Sequence, residues 1–132
     1  MLQRVRENGG NVRGMFWYQG CSDAEAALYQ GYTKNMIAFA AACRRDLNLP
    51  LPIVQVQIGR TISRPTEAYC LWWNDIQEQQ RLLGQKIPAL ATVSAISKGL
   101  DDAIHIDSCG QRELGCEAAE AMCRLAFGDV AG

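Results

Sequence analysis

The chain has a single histidine, His105, and a carboxylate, Asp102, stands three residues before it in Asp102-Ala103-Ile104-His105. A carboxylate on the same loop can bond one imidazole nitrogen, fix the tautomer and leave the other nitrogen free as a general base. Asp101 and Asp107 lie near enough in sequence to take that orienting role instead. A solvated loop histidine is the plain alternative to any catalytic role. A second segment, Trp17 to Ala24 (WYQGCSDA), carries complementary chemistry. The side-chain amide of Gln19 and the backbone N–H of Gly20 can both donate toward an oxyanion developing on an acyl carbon. A strand-to-helix connection capped by Ser22 or Asp23 accounts for the same residues without chemistry. Cys21 can also be read as a thiol nucleophile activated by His105. Against that reading, a nucleophile normally occupies its own elbow rather than the oxyanion turn.

These residues need elements to hold them. Residues 12–18 (VRGMFWY) read as a strand that ends in the polar turn Gln19-Gly20-Cys21-Ser22-Asp23. A helix is expected from about Ala24 to Asp46, with Leu28, Met36, Ile37 and Ala40 forming its apolar stripe. Leu49-Pro50-Leu51-Pro52 breaks the helix and leads into a second strand, residues 53–58 (IVQVQI). Arg60 and Arg64 follow that strand, where they can meet a carboxylate on a ligand or simply face solvent. A helix over residues 66–83, with Gly84 as its stop, precedes a third strand at 89–96. The Asp-His pair falls in the loop 97–108, before a last helix over 111–127 with Leu114, Ala118, Met122 and Leu125 on one face.

Strands alternating with helices predict a parallel sheet with crossover connections, and functional residues then gather beyond the carboxyl ends of the strands. Both QGCSD and DDAIH sit at such ends. Three strands alone make a narrow sheet with open edges, so the pattern is that of the later part of a five-stranded doubly wound domain.

Composition narrows the function classes. With 132 residues, 48% hydrophobic and 20% charged, the chain is of globular type, and a net charge of −1 with scattered basic residues predicts no nucleic-acid or anionic-membrane partner. The longest apolar runs are too short to span a bilayer, and residues 1–12 lack the apolar core of a signal peptide. Six cysteines without a CxxC pair, beside one histidine, predict free thiols and no metal site. Cys116 and Cys123, two turns apart on one helix face, are expected to be packed, and Trp72 and Trp73 to be core residues rather than a sugar-stacking platform.

Taken together, the motifs resemble those of the sialate O-acetylesterase-like branch of the SGNH hydrolases, including carbohydrate esterase family six. That group shows a strand ending in W-Y/H-Q-G-E-S-D-A, matched here by WYQGCSDA. Its L-P-hydrophobic strand with glutamine is matched by Leu51 to Gln57, and its W-x-x-I-R-E-x-Q helix is approximated by Trp73 to Gln80. Its D-x-I-H element is matched by Asp102, Ile104 and His105. The matches occur in family order over nearly the whole chain.

The resemblance implies an α/β, three-layer, flavodoxin-like SGNH fold whose N-terminal strands are missing here. It implies hydrolysis of an acetyl ester on a carbohydrate without metal or organic cofactor. His105 would be the general base, Asp102 its orienting partner, Gln19 an oxyanion donor and Gly20 the residue shaping the turn. The family's nucleophile is a serine in an N-terminal G-D-S-like or G-Q-S-like segment, which does not precede Val12 here. None of Ser22, Ser63, Ser94, Ser97 and Ser108 stands in such a context. Cys21 replaces the family glutamate. A complementing N-terminal segment or another chain would therefore supply the serine. The alternatives are a non-catalytic truncated remnant and a sugar-binding module. Many members of the group are exported, and this sequence carries no sign of location.

Overall fold

The central strand of the sheet is the apolar run that the two prolines set free. In the computed structural model, which describes residues 2–63 and 65–128, the elements run α1 (Leu2–Glu7), β1 (Met15–Trp17), α2 (Tyr32–Leu47), β2 (Ile53–Gln57), α3 (Glu67–Leu82), β3 (Leu90–Ser94) and α4 (Ser108–Phe127). The sheet order is β1-β2-β3. All pairing is parallel, with Met15 opposite Ile53 and Ile53 opposite Leu90.

Strand β2 is buried along its whole length because helices cover both faces of the sheet. Its alternation sends Ile53 toward Tyr32, Met36, Ala40, Trp73 and Ile76 of α2 and α3. It sends Val54 and Val56 toward Leu114 and Ala118 of α4. The result is the expected mixed α/β architecture in three layers, with α2 and α3 on one face of a parallel sheet and α4 on the other. Among the described residues, no helix is long and apolar enough to cross a membrane.

Two helices have caps of the kind sequence patterns reveal. Thr66 Oγ1 accepts from Tyr69 N at 3.0 Å at the start of α3, and Asp107 Oδ1 accepts from Gly110 N at 2.6 Å at the start of α4. The N-terminus of α2 departs from expectation. The helix begins at Tyr32, not near Ala24, and neither Ser22 nor Asp23 caps it; short 3-10 turns occupy Cys21–Asp23 and Tyr29–Gly31. Its cap comes from another helix. Gln79 Oε1 accepts from Thr33 N at 2.9 Å and from Thr33 Oγ1 at 2.8 Å, while Gln79 Nε2 donates to Tyr29 O at 2.7 Å. Leu28 and Ile37 consequently lie at the surface, and the buried stripe of α2 is Tyr32, Met36, Ala40 and Cys43.

Helix α4 buries only Gly110, Leu114 and Ala118. Cys116 and Cys123 point away from that seam and are exposed rather than packed. All six cysteines are free thiols. Trp73 is core as expected, and its indole N–H donates to Gly59 O at 2.9 Å.

Candidate active site

The loop between β3 and α4 assembles the histidine site from its own backbone. Asp102 Oδ1 accepts from the N–H groups of both Ile104 and His105 at 2.8 Å, closing a tight turn around the carboxylate. Its second oxygen, Oδ2, lies 2.7 Å from His105 Nδ1. The loop is closed at its base by the bond from Asp101 N to His105 O at 2.9 Å and by an antiparallel bridge between Leu100 and Ile106. Ile106 is buried against the α4 side of the sheet and Ile104 packs on the opposite core, so the histidine is held between two apolar anchors.

The three carboxylates that could have oriented His105 are thus sorted by structure. Asp107 caps α4, Asp101 contributes its backbone, and Asp102 takes the imidazole. The hydrogen bond from His105, reinforced by the two backbone N–H groups, pulls the Asp102 carboxyl down to about 2. An ionised carboxylate only accepts, so in the neutral imidazole Nδ1 carries the proton and Nε2 keeps its lone pair.

The Gln19-Gly20 turn forms at the carboxyl end of β1. Gly20 has φ of 146°, a conformation that side chains rarely adopt, and a Cβ there would lie 2.7 Å from Gln80 Nε2. The Gln19 amide donates to Asp23 Oδ2 at 3.1 Å, which holds the side chain across the turn and leaves its second N–H free. Gln19, Gly20, Cys21 and Ser22 line one cavity of about 350 Å³, and His105 lines the same cavity from the other loop. Two segments more than 80 positions apart in sequence therefore share a single concave site.

Gln111, on the first turn of α4, lines this cavity and donates to Ile106 O at 2.9 Å. Sequence reasoning missed it, because a glutamine on a helix start carries no motif. The Cys21 thiol is pushed up by burial, the opposite of what a thiolate nucleophile needs. Arg60 donates to Lys98 O at 2.5 Å and Ile96 O at 3.3 Å, which ties the loop after β2 to that after β3. It is not among the cavity-lining residues. Arg64 lies outside the described residues. Among the described residues no group of three or more His, Cys, Asp or Glu side chains is placed to hold a metal ion.

Known proteins share this arrangement of chain. The family model for carbohydrate esterase, sialic acid-specific acetylesterase, matches residues 1–124. A probable carbohydrate esterase of Arabidopsis thaliana is 34% identical over 92% of this chain and 45% of its own length. The X-ray structure of that Arabidopsis protein superposes with a TM-score of 0.76 at 31% identity, covering 92% of this chain and 48% of that one. A carbohydrate acetylesterase from Xanthomonas citri shares the fold, with a TM-score of 0.79 at 24% identity over 90% of this chain and 27% of its own. The chain spans about half the length of the curated relative it matches. Motif, fold and family model agree over almost all of the sequence, and the chain belongs to the carbohydrate esterase family of sialic acid-specific acetylesterases.

Proposed function

We propose that this chain supplies the base and part of the oxyanion site of an esterase that removes acetyl groups from carbohydrates. The observation that carries the reading is one cavity lined by both His105, oriented through Nδ1 by Asp102, and the Gln19-Gly20 turn. In the reaction, a serine hydroxyl attacks the acetyl carbonyl while His105 Nε2 takes its proton. The Gln19 amide and the Gly20 N–H donate to the oxyanion. The intermediate collapses with loss of the sugar hydroxyl, which receives the proton from His105. Water attacks the acyl-serine, gives its proton to the same histidine, and acetate leaves as the serine is restored.

The serine belongs to a segment beyond these residues, seated along the open edge of β1. Three features support that placement. Among the described residues β1 pairs only with β2, so its outer edge presents unpaired backbone groups. Beside that edge runs an apolar groove of about 420 Å³ lined by Phe16, Val54, Met122 and Phe127, with Phe16 51% and Phe127 79% exposed. A strand added in parallel there would end next to the Gln19 turn, which lines the cavity that His105 also lines.

The test is hydrolysis of a small aryl acetate by the chain alone and by the chain joined to the serine-bearing N-terminal half of a relative. Turnover is expected only in the joined protein, with His105→Ala lowering kcat by about 10³-fold to 10⁴-fold. Turnover by the chain alone that His105→Ala abolishes would overturn the reading and point to Cys21 or Ser22. A sugar-binding module without chemistry is the second reading. It is favoured by the burial of Cys21 in the cavity wall, which pushes that thiol up and away from the thiolate a nucleophile needs. Glycan binding without turnover in the joined protein would establish it.

A further inference from the structure

Helix α3 carries an amide in the middle of its buried stripe. Trp73, Ile76 and Gln80 face the core together, and Gln80 is 0% exposed. A buried amide is destabilising unless its hydrogen-bonding groups are matched. Gln80 matches all of them. Its Oε1 accepts from Ile58 N at 2.8 Å, just past the end of β2. Its Nε2 donates to Gln19 O at 2.8 Å, in the turn after β1, and to Tyr32 Oη at 2.9 Å, at the start of α2. The Tyr32 hydroxyl in turn donates to Gln19 O at 3.1 Å. The Gln19 carbonyl therefore receives two inward-facing donors, one from α3 and one from α2.

That double anchor has a consequence for the next residue. A carbonyl and the N–H of the same planar trans peptide point in opposite directions. With the Gln19 carbonyl drawn into the core, the Gly20 N–H is turned outward, and Gly20 lines the cavity that His105 shares. No acceptor for the Gly20 N–H is found among the described residues. The amide of Gln80 also packs so closely on Gly20 that a Cβ there would fall 2.7 Å from it, so the position takes glycine without a shift of its neighbours.

We propose that Gln80, with Tyr32, is a positioning residue that sets the Gln19–Gly20 peptide so that the Gly20 N–H is aimed at the reacting acyl oxygen. The proposal rests on the esterase reading and deepens it. Gln80 itself touches no substrate; it acts through one peptide plane.

The test pairs a spectroscopic readout with kinetics. In the chain itself, Gln80→Met removes the amide and Tyr32→Phe removes only the hydroxyl, the latter keeping a second variant in hand if the first does not fold. The Gly20 amide resonance is expected to move more than any other glycine amide in both variants. In the joined protein, Gln80→Met is expected to lower kcat by about 10-fold to 100-fold and Tyr32→Phe by about threefold to tenfold, each with KM within about twofold. The pH profile of kcat is expected to keep its shape, since His105 and Asp102 are untouched. An unmoved Gly20 resonance in a folded variant overturns the proposal. So does an unchanged kcat in a joined protein whose activity His105→Ala abolishes. A joined protein without activity sinks the esterase reading instead, and the Gly20 resonance still decides whether Gln80 sets the peptide.

Discussion

The two halves of the site are built by opposite means. The His105 loop is local: Asp102, Ile104 and His105 bond one another within three residues, and the closing bond from Asp101 to His105 spans four. The Gln19 turn is tertiary: the groups holding its carbonyl come from Tyr32, 13 positions away, and Gln80, 61 positions away. A locally built site can lose one side chain without disturbing the fold, whereas a tertiary one passes any change to every element that meets in it.

Asp102→Asn is the sharpest test of the local half. In the joined protein it is expected to lower kcat by about 10³-fold to 10⁴-fold, since an amide in place of the carboxylate no longer selects the Nδ1–H tautomer. Its effect on the melting temperature near neutral pH should be small, because the Asp102 side chain is 55% exposed. A large thermal destabilisation would erase the distinction between the two halves.

Gly20→Ala probes the tertiary half and should act on stability as well as activity. Alanine at φ 146° with its Cβ 2.7 Å from Gln80 Nε2 must shift backbone or break the amide network, an expected loss of about 1–3 kcal/mol in denaturant unfolding. Gln79→Ala removes the distant cap of α2 and should destabilise by about 1 kcal/mol, with little change in aryl acetate turnover. If Gln79→Ala instead abolished turnover, the cap and the Gln19 turn would be one unit rather than two.

The smallest effect concerns pH. The Asp102 carboxyl lies at about 2 in the folded chain, below the ordinary carboxylate value of about 4. A depressed folded value stabilises above the unfolded value, and the contribution is lost as pH falls from about 4 to about 2. The melting-temperature difference between the wild-type chain and Asp102→Asn is therefore expected to shrink over that interval. A difference that grew as the pH fell would contradict the assigned pairing.

Much of this was legible because it is short-ranged. The place of the DDAIH loop was legible, and so was the contact it could make, since an Asp three residues before a His can close on it, as Asp102 does on His105. The parallel α/β order and the core position of Trp73 were legible from the alternation of elements and from residue type, whereas Thr66 and Asp107 emerge as helix caps only in the folded chain. Even so, which of Asp101, Asp102 and Asp107 would orient the histidine had to await the helix start that claimed Asp107.

The residues themselves determined which groups can donate, accept and ionise, and the alternation that makes three strands and their crossover helices. Tertiary structure decided where α2 begins, because its cap is Gln79 of another helix rather than Ser22 or Asp23 beside it. It decided that Cys116 and Cys123 face outward, because a 20-residue helix lying on a three-stranded sheet covers only one narrow seam. It also decided the direction of the Gly20 N–H, because a peptide plane is oriented by whatever holds its carbonyl. Here that is a buried glutamine sixty-one residues away, whose type is written in the sequence but whose partners exist only once the chain has folded.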